Sequence, residues 1–455
     1  MKLGVVILAA GQGNRMKSAL PKVLHPIAGK PMLSQVIDTA HKLEPDNTTV
    51  VYGHGGELVR EKITSANLEW VLQDKQLGTG HAVAQAMPHL QSVDKILVLY
   101  GDVPLIRHET LVRLIESSAD SSLGMLTVEL DNPAGYGRIV RDEEGAVSHI
   151  VEQKDASPAE LAIHEVNVGI MLINRERLTT WIERLDDNNA QGEFYLTDII
   201  GMAVKEGVVI STARPDDMFE VSGVNDRVQL AELERELQRA RVQQLMRDGV
   251  TVIDPARIDI RGNANVSQDV TLDVNVILDG DVELGEGVRV GANSILRNCK
   301  IAAGTVVKEM CVIEDAIIGE SCQVGPYARI RPGTELAPEC HIGNFVEIKN
   351  AQVARGSKIN HLSYVGDATV GEAVNIGAGT ITCNYDGAYK HRTVIGDRVF
   401  VGSDTQLVAP VTVESGATIA AGSTITADVE ENALALSRTK QRSVMNWKRP
   451  QKDKG

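Results

Sequence analysis

"IGESCQVGPYARIRPGTELAPECHIGNFVEIK", residues 318–349, places an aliphatic side chain at Ile318, Val324, Ile330, Leu336, Ile342 and Ile348, one at every sixth position. A helix repeats its apolar face every 3.6 residues and a half-buried strand every two, so neither accounts for this beat. Six residues make one side of a triangular coil and eighteen make a turn. Stacked turns pair like parallel strands about 4.8 Å apart, with the aliphatics in an inner column and the polar residues outside. Small residues often stand four places after the aliphatic, as at Ala328, Thr334, Thr405 and Ala417, where a narrow corner would need them.

The same beat extends in both directions. Upstream it runs through Val252, Ile258, Val270, Val276, Val282 and Val288, with Ala264 at one smaller place, and it loosens around 294–312. Downstream, five-residue steps lead to Val365, Val370 and Ile376, and the rhythm resumes at Ile395, Val401, Leu407, Val413, Ile419 and Ile425. In between, "GAGTITCNYDGAYKHRTVIG" (377–396) breaks it with about a dozen polar residues. Such an excursion cannot continue the coil, so it must project, and a projecting loop supplies the pocket wall that a flat coil face lacks.

Ahead of the repeats, "NDRVQLAELERELQRARVQQLMRDG" (225–249) is rich in helix formers and free of internal Gly or Pro. Asn225 or Asp226 can cap it and Gly249 can end it, which describes a helical arm. Earlier still, "LGVVILAA" (3–10), "TTVVYG", "KILVLYGD" and "SLGMLTVEL" alternate with helical patterns such as "MLSQVIDTAHKL" and "TGHAVAQAMPHL". That alternation predicts an α/β domain whose first strand is buried on both faces. The opening apolar run is short and leads into a glycine loop, so it reads as a strand rather than a leader.

The 455 residues exceed what one core usually organises. Net charge is −15, which argues against general affinity for nucleic acid or an anionic membrane. The five cysteines lack metal-ligand spacing, and reduced structural thiols in a cytoplasmic protein are the simplest account. The end of the chain differs: from Arg438 on it holds seven basic residues against one acid. A solvated terminus and a phosphate-contacting tail both remain open.

Several residues carry candidate chemistry. In "LAAGQGNRM", Gly11 and Gly13 follow the first strand, where backbone N–H groups can approach a phosphate, with Arg15 and Lys22 close by. The third glycine of a dinucleotide fingerprint is missing, and no G-K-[ST] closes a Walker loop. Asp102 follows a fully apolar strand at the edge where open sheets bind ligands, and a carboxylate beside phosphates calls for a bridging divalent cation such as magnesium. A helix or turn cap is the plain alternative. Arg331 and Lys349, eighteen residues apart, fall on one face of successive coils. They either splay into water or share an anion. His361 beside them is either a surface residue or a proton acceptor.

Taken together, these motifs resemble, over essentially the whole chain, the bacterial GlmU family of bifunctional N-acetylglucosamine-1-phosphate uridylyltransferases and glucosamine-1-phosphate acetyltransferases. The resemblance implies a Rossmann-like α/β nucleotidyltransferase domain, a long linking helix and a left-handed parallel β-helix of hexapeptide repeats. Its expected bounds are 1–226, 227–249 and 250–437, with a basic tail at 438–455. It implies that Leu8, Ala9, Ala10, Gly11, Gly13 and Arg15, with Lys22, surround the nucleotide. Gln73, Gly78 and Thr79 would read uracil. Gly137, Glu152 and Asn167 would hold the sugar, Tyr100 and Gly101 would belong to the same substrate site, and Asp102 with Asn225 would hold the magnesium ion. Asn14 stands where the family usually has Ser or Thr.

In the second half the resemblance implies that Arg331, Lys349, Tyr364, Asn375 and Lys390 bind the sugar phosphate and that His361 is the general base. Ala378, Asn384, Tyr385, Ser403, Ala421 and Arg438 would meet acetyl-CoA. Expected substrates are glucosamine 1-phosphate, N-acetylglucosamine 1-phosphate, UTP and acetyl-CoA, in a homotrimer with no nucleic acid or membrane partner. The alternatives are a single-activity nucleotidyltransferase whose repeats only regulate or assemble it, and a non-enzymatic scaffold.

Overall fold

The computed structural model describes residues 1–53 and 55–452; the last three residues of the basic tail lie outside the described residues. The chain divides into two compact units, Met1–Leu237 and Gln238–Gly455.

In the first unit, residues 3–9 alternate between two cores. Val5 and Ile7 join the cluster on one side of the sheet, and Val6 and Leu8 join the one on the other. This is why the opening run is apolar without interruption. The sheet order is Ile210–Ala213, Leu123–Glu129, Glu165–Asn174, Lys95–Tyr100, Leu3–Ala9, Asn47–Tyr52, Glu69–Leu72. All neighbours are parallel except Glu165–Asn174, which is antiparallel to both of its own. A hairpin of Gly137–Arg141 and Val147–Val151 joins that strand. The alternation of apolar strands and helices did not disclose the hairpin or the antiparallel strand.

Asp226 caps the helix Arg227–Arg247, its Oδ1 accepting from the N–H groups of Val228 (2.9 Å) and Gln229 (3.0 Å). Within the first unit, Leu233 packs with Met16, Ile27, Met32 and Val224, and Glu234 accepts from the Ala28 N–H at 2.6 Å. Within the second unit, the buried Gln238 amide bonds both the N–H and the carbonyl of Ile260, and Val242 enters the repeat core. The helix is therefore split between the two units, ending near Gly249 at φ 96°.

The second unit is a three-faced parallel β-helix. One face is an eleven-stranded sheet running from Thr251–Val252 to Leu434–Ala435; the other two belong to a sixteen-stranded sheet that turns a corner within Ile295–Ile301. Each side carries two inward positions two residues apart, such as Val270 with Leu272 and Val282 with Leu284, all at most 2 % exposed. From Ile258 to Val288 the beat follows the first position of each pair, and from Ile318 it follows the second; Val252, in register with Leu272, stands at a second position. The small residues at Ala328 and Thr334 are the first positions of their own pairs. The apparent loosening at 294–312 is where the first position of each pair shrinks, to Ser294, Cys299, Thr305 and Cys311, while the second stays aliphatic and buried at Leu296, Ile301, Val307 and Ile313. Coil length drops there as well. Ile277 pairs with Ile295, eighteen residues on, whereas Ile295 pairs with Val312, seventeen on. At the interruption, Asn375 pairs with Phe400, a coil of twenty-five residues, and the surplus folds into a small hairpin closed by an antiparallel Tyr385–Lys390 bridge.

Candidate active sites

The loop after Leu3–Ala9 turns through Gly13 at φ 63°, where an added Cβ would fall 2.7 Å from Lys22 Cβ. The glycine lets Lys22 lie against the loop. The Lys22 ammonium donates to Asp102 Oδ2 and, at 3.3 Å, to Asn225 Oδ1. The Val224 N–H bonds the Asp102 carbonyl at 2.9 Å, and the Asn225 N–H bonds Gln229 Oε1 at 2.8 Å, so the main chain of each residue is held. Two hard oxygens thus converge on one cation, here an ammonium. Among the described residues no group of three His, Cys, Asp or Glu side chains forms a fuller metal cage. A donor set this sparse suits magnesium, which keeps much of its shell for water and substrate phosphate.

A cavity of about 470 Å³ opens beside this triad at the carboxyl edge of the parallel strands. It is lined by the predicted Leu8, Ala9, Ala10, Gly11, Lys22, Gln73, Gly78, Thr79, Tyr100 and Asp102. Gln12, Val23, Gln76, Ala82 and Glu193 line it too, and sequence reading did not single them out. Gln12 and Gln76 stand close in sequence to predicted positions, which is a usable signal. Nothing local marks Glu193. Gly101 sits behind the wall, donating its N–H to Leu8 O at 2.9 Å. Arg15 is exposed on the short helix Asn14–Met16, without a hydrogen bond or ion pair to any described residue.

Gly137, Glu152 and Asn167 are brought together by the hairpin. Asn167 pairs with Gly137 across the strands, and an added Cβ on Gly137 would lie 3.2 Å from Glu152 Oε1. Burial raises the Glu152 pKa, against a 3.1 Å hydrogen bond from Thr197 Oγ1 that lowers it. The register slip between Asn167 and Met171 leaves Gly169 at φ 83°, and its missing Cβ makes room for the Tyr100 ring. Burial, then the Asp102 and Glu152 carboxylates, push the Tyr100 phenol above its ordinary value. Tyr100, which lines the cavity, thus feels both carboxylates.

In the repeat unit, Ile330 pairs with Ile348, which puts Arg331 and Lys349 one coil apart. Arg331 Nη1 donates to Glu347 Oε1 at 2.6 Å, and that carboxylate raises its pKa. Lys390 reaches this cluster from the inserted hairpin. The Lys390 ammonium facing Lys349, and then partial burial, hold Lys349 below the usual lysine value. Asp367 completes the group: burial would raise its pKa, but hydrogen bonds from Asn350 and Asn384 and the charges of Lys349 and Lys390 outweigh that and lower it. Asn384 Nδ2 also reaches Tyr364 Oη at 3.4 Å. Sequence reading passed over Asp367, whose short "GDA" context resembles any corner.

His361 stands at the neighbouring corner, in register with Asn344, and its Nδ1 lies 2.9 Å from Asn344 Oδ1. The amide oxygen accepts, so Nδ1 carries the proton and Nε2 keeps its lone pair. Backbone bonds run down this corner from Gly379 N to His361 O, Asp404 N to Ala378 O and Gly422 N to Ser403 O. Arg438 Nη1 then donates to Ala421 O at 2.9 Å. His361, Ala378, Ser403, Ala421 and Arg438 therefore follow one edge. Asn375 does not join the cationic cluster; it lies on the eleven-stranded face, between Lys358 and Phe400.

Comparison with known proteins matches residues 5–187 to the MobA-like NTP transferase domain, 260–337 to the GMPPB C-terminal domain and 392–427 to the bacterial transferase hexapeptide repeats. Among curated relatives, the bifunctional protein GlmU of Azoarcus sp. is 59% identical over 99% of this chain and 100% of its own length. That of Nitrosospira multiformis is 58% identical over 99% of this chain and 98% of its own. That of Pseudomonas putida is 56% identical, covering 100% of both chains.

Proposed function

The chain belongs to the bifunctional GlmU family, and from that premise we propose that it acetylates glucosamine 1-phosphate with acetyl-CoA and then transfers UMP from UTP to N-acetylglucosamine 1-phosphate. The products of the second step are UDP-N-acetylglucosamine and pyrophosphate. The observation that carries this reading is the presence in one chain of two polar sites of different build: Lys22 with Asp102 and Asn225, and Arg331 with Lys349 and Lys390 near His361. The full-length likeness leaves no support for the single-activity alternative or for a scaffold.

In the first unit Asp102 and Asn225 would hold magnesium, which when bound supplies positive charge to the nucleotide phosphates. Lys22 and the free guanidinium of Arg15 add fixed charge at the loop, where negative charge grows on departing pyrophosphate. The attacking sugar phosphate is already ionised, so the unit needs no general base. Gln73, Gly78 and Thr79 take the base, and Tyr100, Gly137, Glu152 and Asn167 the acetamido sugar.

In the second unit Arg331, Lys349 and Lys390 clamp the sugar phosphate. His361 Nε2 takes a proton from the substrate amine, the amine nitrogen attacks the thioester carbonyl, and the coenzyme A thiolate leaves. Asn344, by holding Nδ1–H, keeps the basic nitrogen on the other side of the ring. The carrier follows the edge of Ala378, Ser403 and Ala421 to Arg438, beside Asn384 and Tyr385. Asn375 belongs to a different face from Arg331, so a second copy of the chain is needed to close the pocket. Exposed Met310, Tyr327, Phe345 and Leu362 near the His361 corner, with the Tyr327 and Phe345 rings stacked 5.1 Å apart, give that copy an apolar seat. A homotrimer meets both requirements, and a cytoplasmic location suits these substrates. No described helix is long and apolar enough to cross a membrane.

The test supplies glucosamine 1-phosphate, acetyl-CoA, UTP and magnesium, and follows free thiol and pyrophosphate separately. Both should appear, pyrophosphate after thiol. Absence of either product rejects the two-reaction reading, and a monomer in light scattering rejects the trimer.

A further inference from the structure

Gln73 lines the nucleotide cavity yet is only 3 % exposed. Its Nε2 lies 3.1 Å from the Gly78 carbonyl and 3.0 Å from His81 Nδ1. A carbonyl oxygen can only accept, so the Gln73 atom facing Gly78 is the amide nitrogen, and its second hydrogen goes to His81. That bond requires an unprotonated Nδ1, which puts the ring proton on Nε2. His81 Nε2 in turn faces the Gln85 side-chain amide, 3.3 Å away and one turn further along the helix Thr79–Ala86. The amide oxygen accepts there once that group is turned. The Phe194 ring flanks His81, with centroids 6.5 Å apart.

Both hydrogens of the Gln73 amide are thereby bound to protein. Its Oε1, which no donor faces among the described residues, is what it offers to the cavity. We infer that His81 is a positioning residue for base specificity. By holding Gln73 acceptor-outward, it selects a pyrimidine with N–H at ring position 3 and rejects one with a lone pair there. Gly78 alone satisfies only one of the two amide hydrogens, so without His81 the amide is held in one orientation far less firmly. This rests on the proposal that the first unit takes UTP, since uracil carries that N–H and cytosine does not.

The test measures pyrophosphate release from UTP and from CTP with N-acetylglucosamine 1-phosphate as acceptor, in wild type, His81→Ala and His81→Asn. Thiol release from acetyl-CoA in the same samples reports on the integrity of the preparation. His81→Ala should lower the UTP-over-CTP ratio of kcat/KM by roughly tenfold, chiefly through a higher KM for UTP. His81→Asn, whose Oδ1 can accept where Nδ1 did, should restore most of the ratio, which a purely space-filling role for His81 would not produce. An unchanged ratio in His81→Ala, or an equal loss with both nucleotides that Asn does not relieve, overturns the inference. A wild type that releases no pyrophosphate from UTP sinks the underlying reading and the inference with it.

Discussion

Lys349 and Lys390 come from different coils, one from a regular strand and the other from the inserted hairpin, and their ammonium groups face each other. Like charges this close are tolerated where an anion is shared between them. Lys390→Ala should raise the KM for glucosamine 1-phosphate by roughly ten- to hundredfold. Inorganic phosphate should raise the melting temperature of wild type more than that of the variant.

The same pair sets a pH response. Lys349 has its pKa lowered in the folded chain, so the charged form is disfavoured and the ligand-free protein carries a repulsion at neutral pH. That cost disappears as pH rises through the lowered value toward 10.5, the ordinary lysine value, and the phosphate clamp weakens over the same window. The KM for the sugar phosphate should therefore climb in alkali before free lysine would titrate, while the stability gap between wild type and Lys390→Ala narrows. A flat KM up to that pH would reject the coupling.

His361→Ala should cut kcat for acetyl transfer by roughly 10²- to 10⁴-fold, with pyrophosphate release from UTP retained. Asn344→Ala should lower kcat for acetyl transfer by a smaller factor, because Nδ1–H loses its fixed acceptor and the ring its set orientation. Separate thiol and pyrophosphate assays on both variants decide this.

At the other site, Asp102→Asn keeps an oxygen but removes the charge that would neutralise a divalent ion. Uridylyl transfer should fall by at least about a hundredfold, with a higher magnesium requirement. A chelator should stop pyrophosphate release and leave thiol release running. Chelator-resistant pyrophosphate release would rule out the metal role of Asp102 and Asn225.

The inserted hairpin has its own clip. Asp386 Oδ1 accepts from the N–H groups of Ala388 (2.8 Å) and Tyr389 (2.7 Å), and its Oδ2 lies 2.7 Å from His391 Nε2. The tyrosine N–H bond, then His391, hold the Asp386 carboxyl below its usual range. Asp386→Ala should loosen the hairpin that carries Tyr385 and Lys390, raising KM for both acetyl-transfer substrates by about three- to tenfold without changing overall stability measurably. Steady-state kinetics and a melting curve test this together.

Much of the fold was legible because the six-residue beat has no rival among regular structures. What the beat concealed was the second inward column: Val270 and Leu272 are equally buried, and a count of every sixth residue registers only one position of each pair. In the first unit, "VNVGI" reads as an ordinary strand, while its antiparallel direction and the slip at Gly169 depend on partners far along the chain. In the candidate site, proximity was legible where backbone geometry is local, as between Gly13 and Lys22. Glu193 and Asp367 were not, because each acquires its neighbours only through tertiary packing.

The corner that begins at His361 also works as a ruler. Each residue down that edge adds one strand spacing, about 4.8 Å, so the distance from His361 to Arg438 is counted in whole rungs rather than tuned by loops. A long, thin acyl carrier laid along such an edge is gauged by the number of coils. Removing one complete coil between His361 and Arg438 would shorten the gauge by one notch and leave every remaining side chain in its own setting.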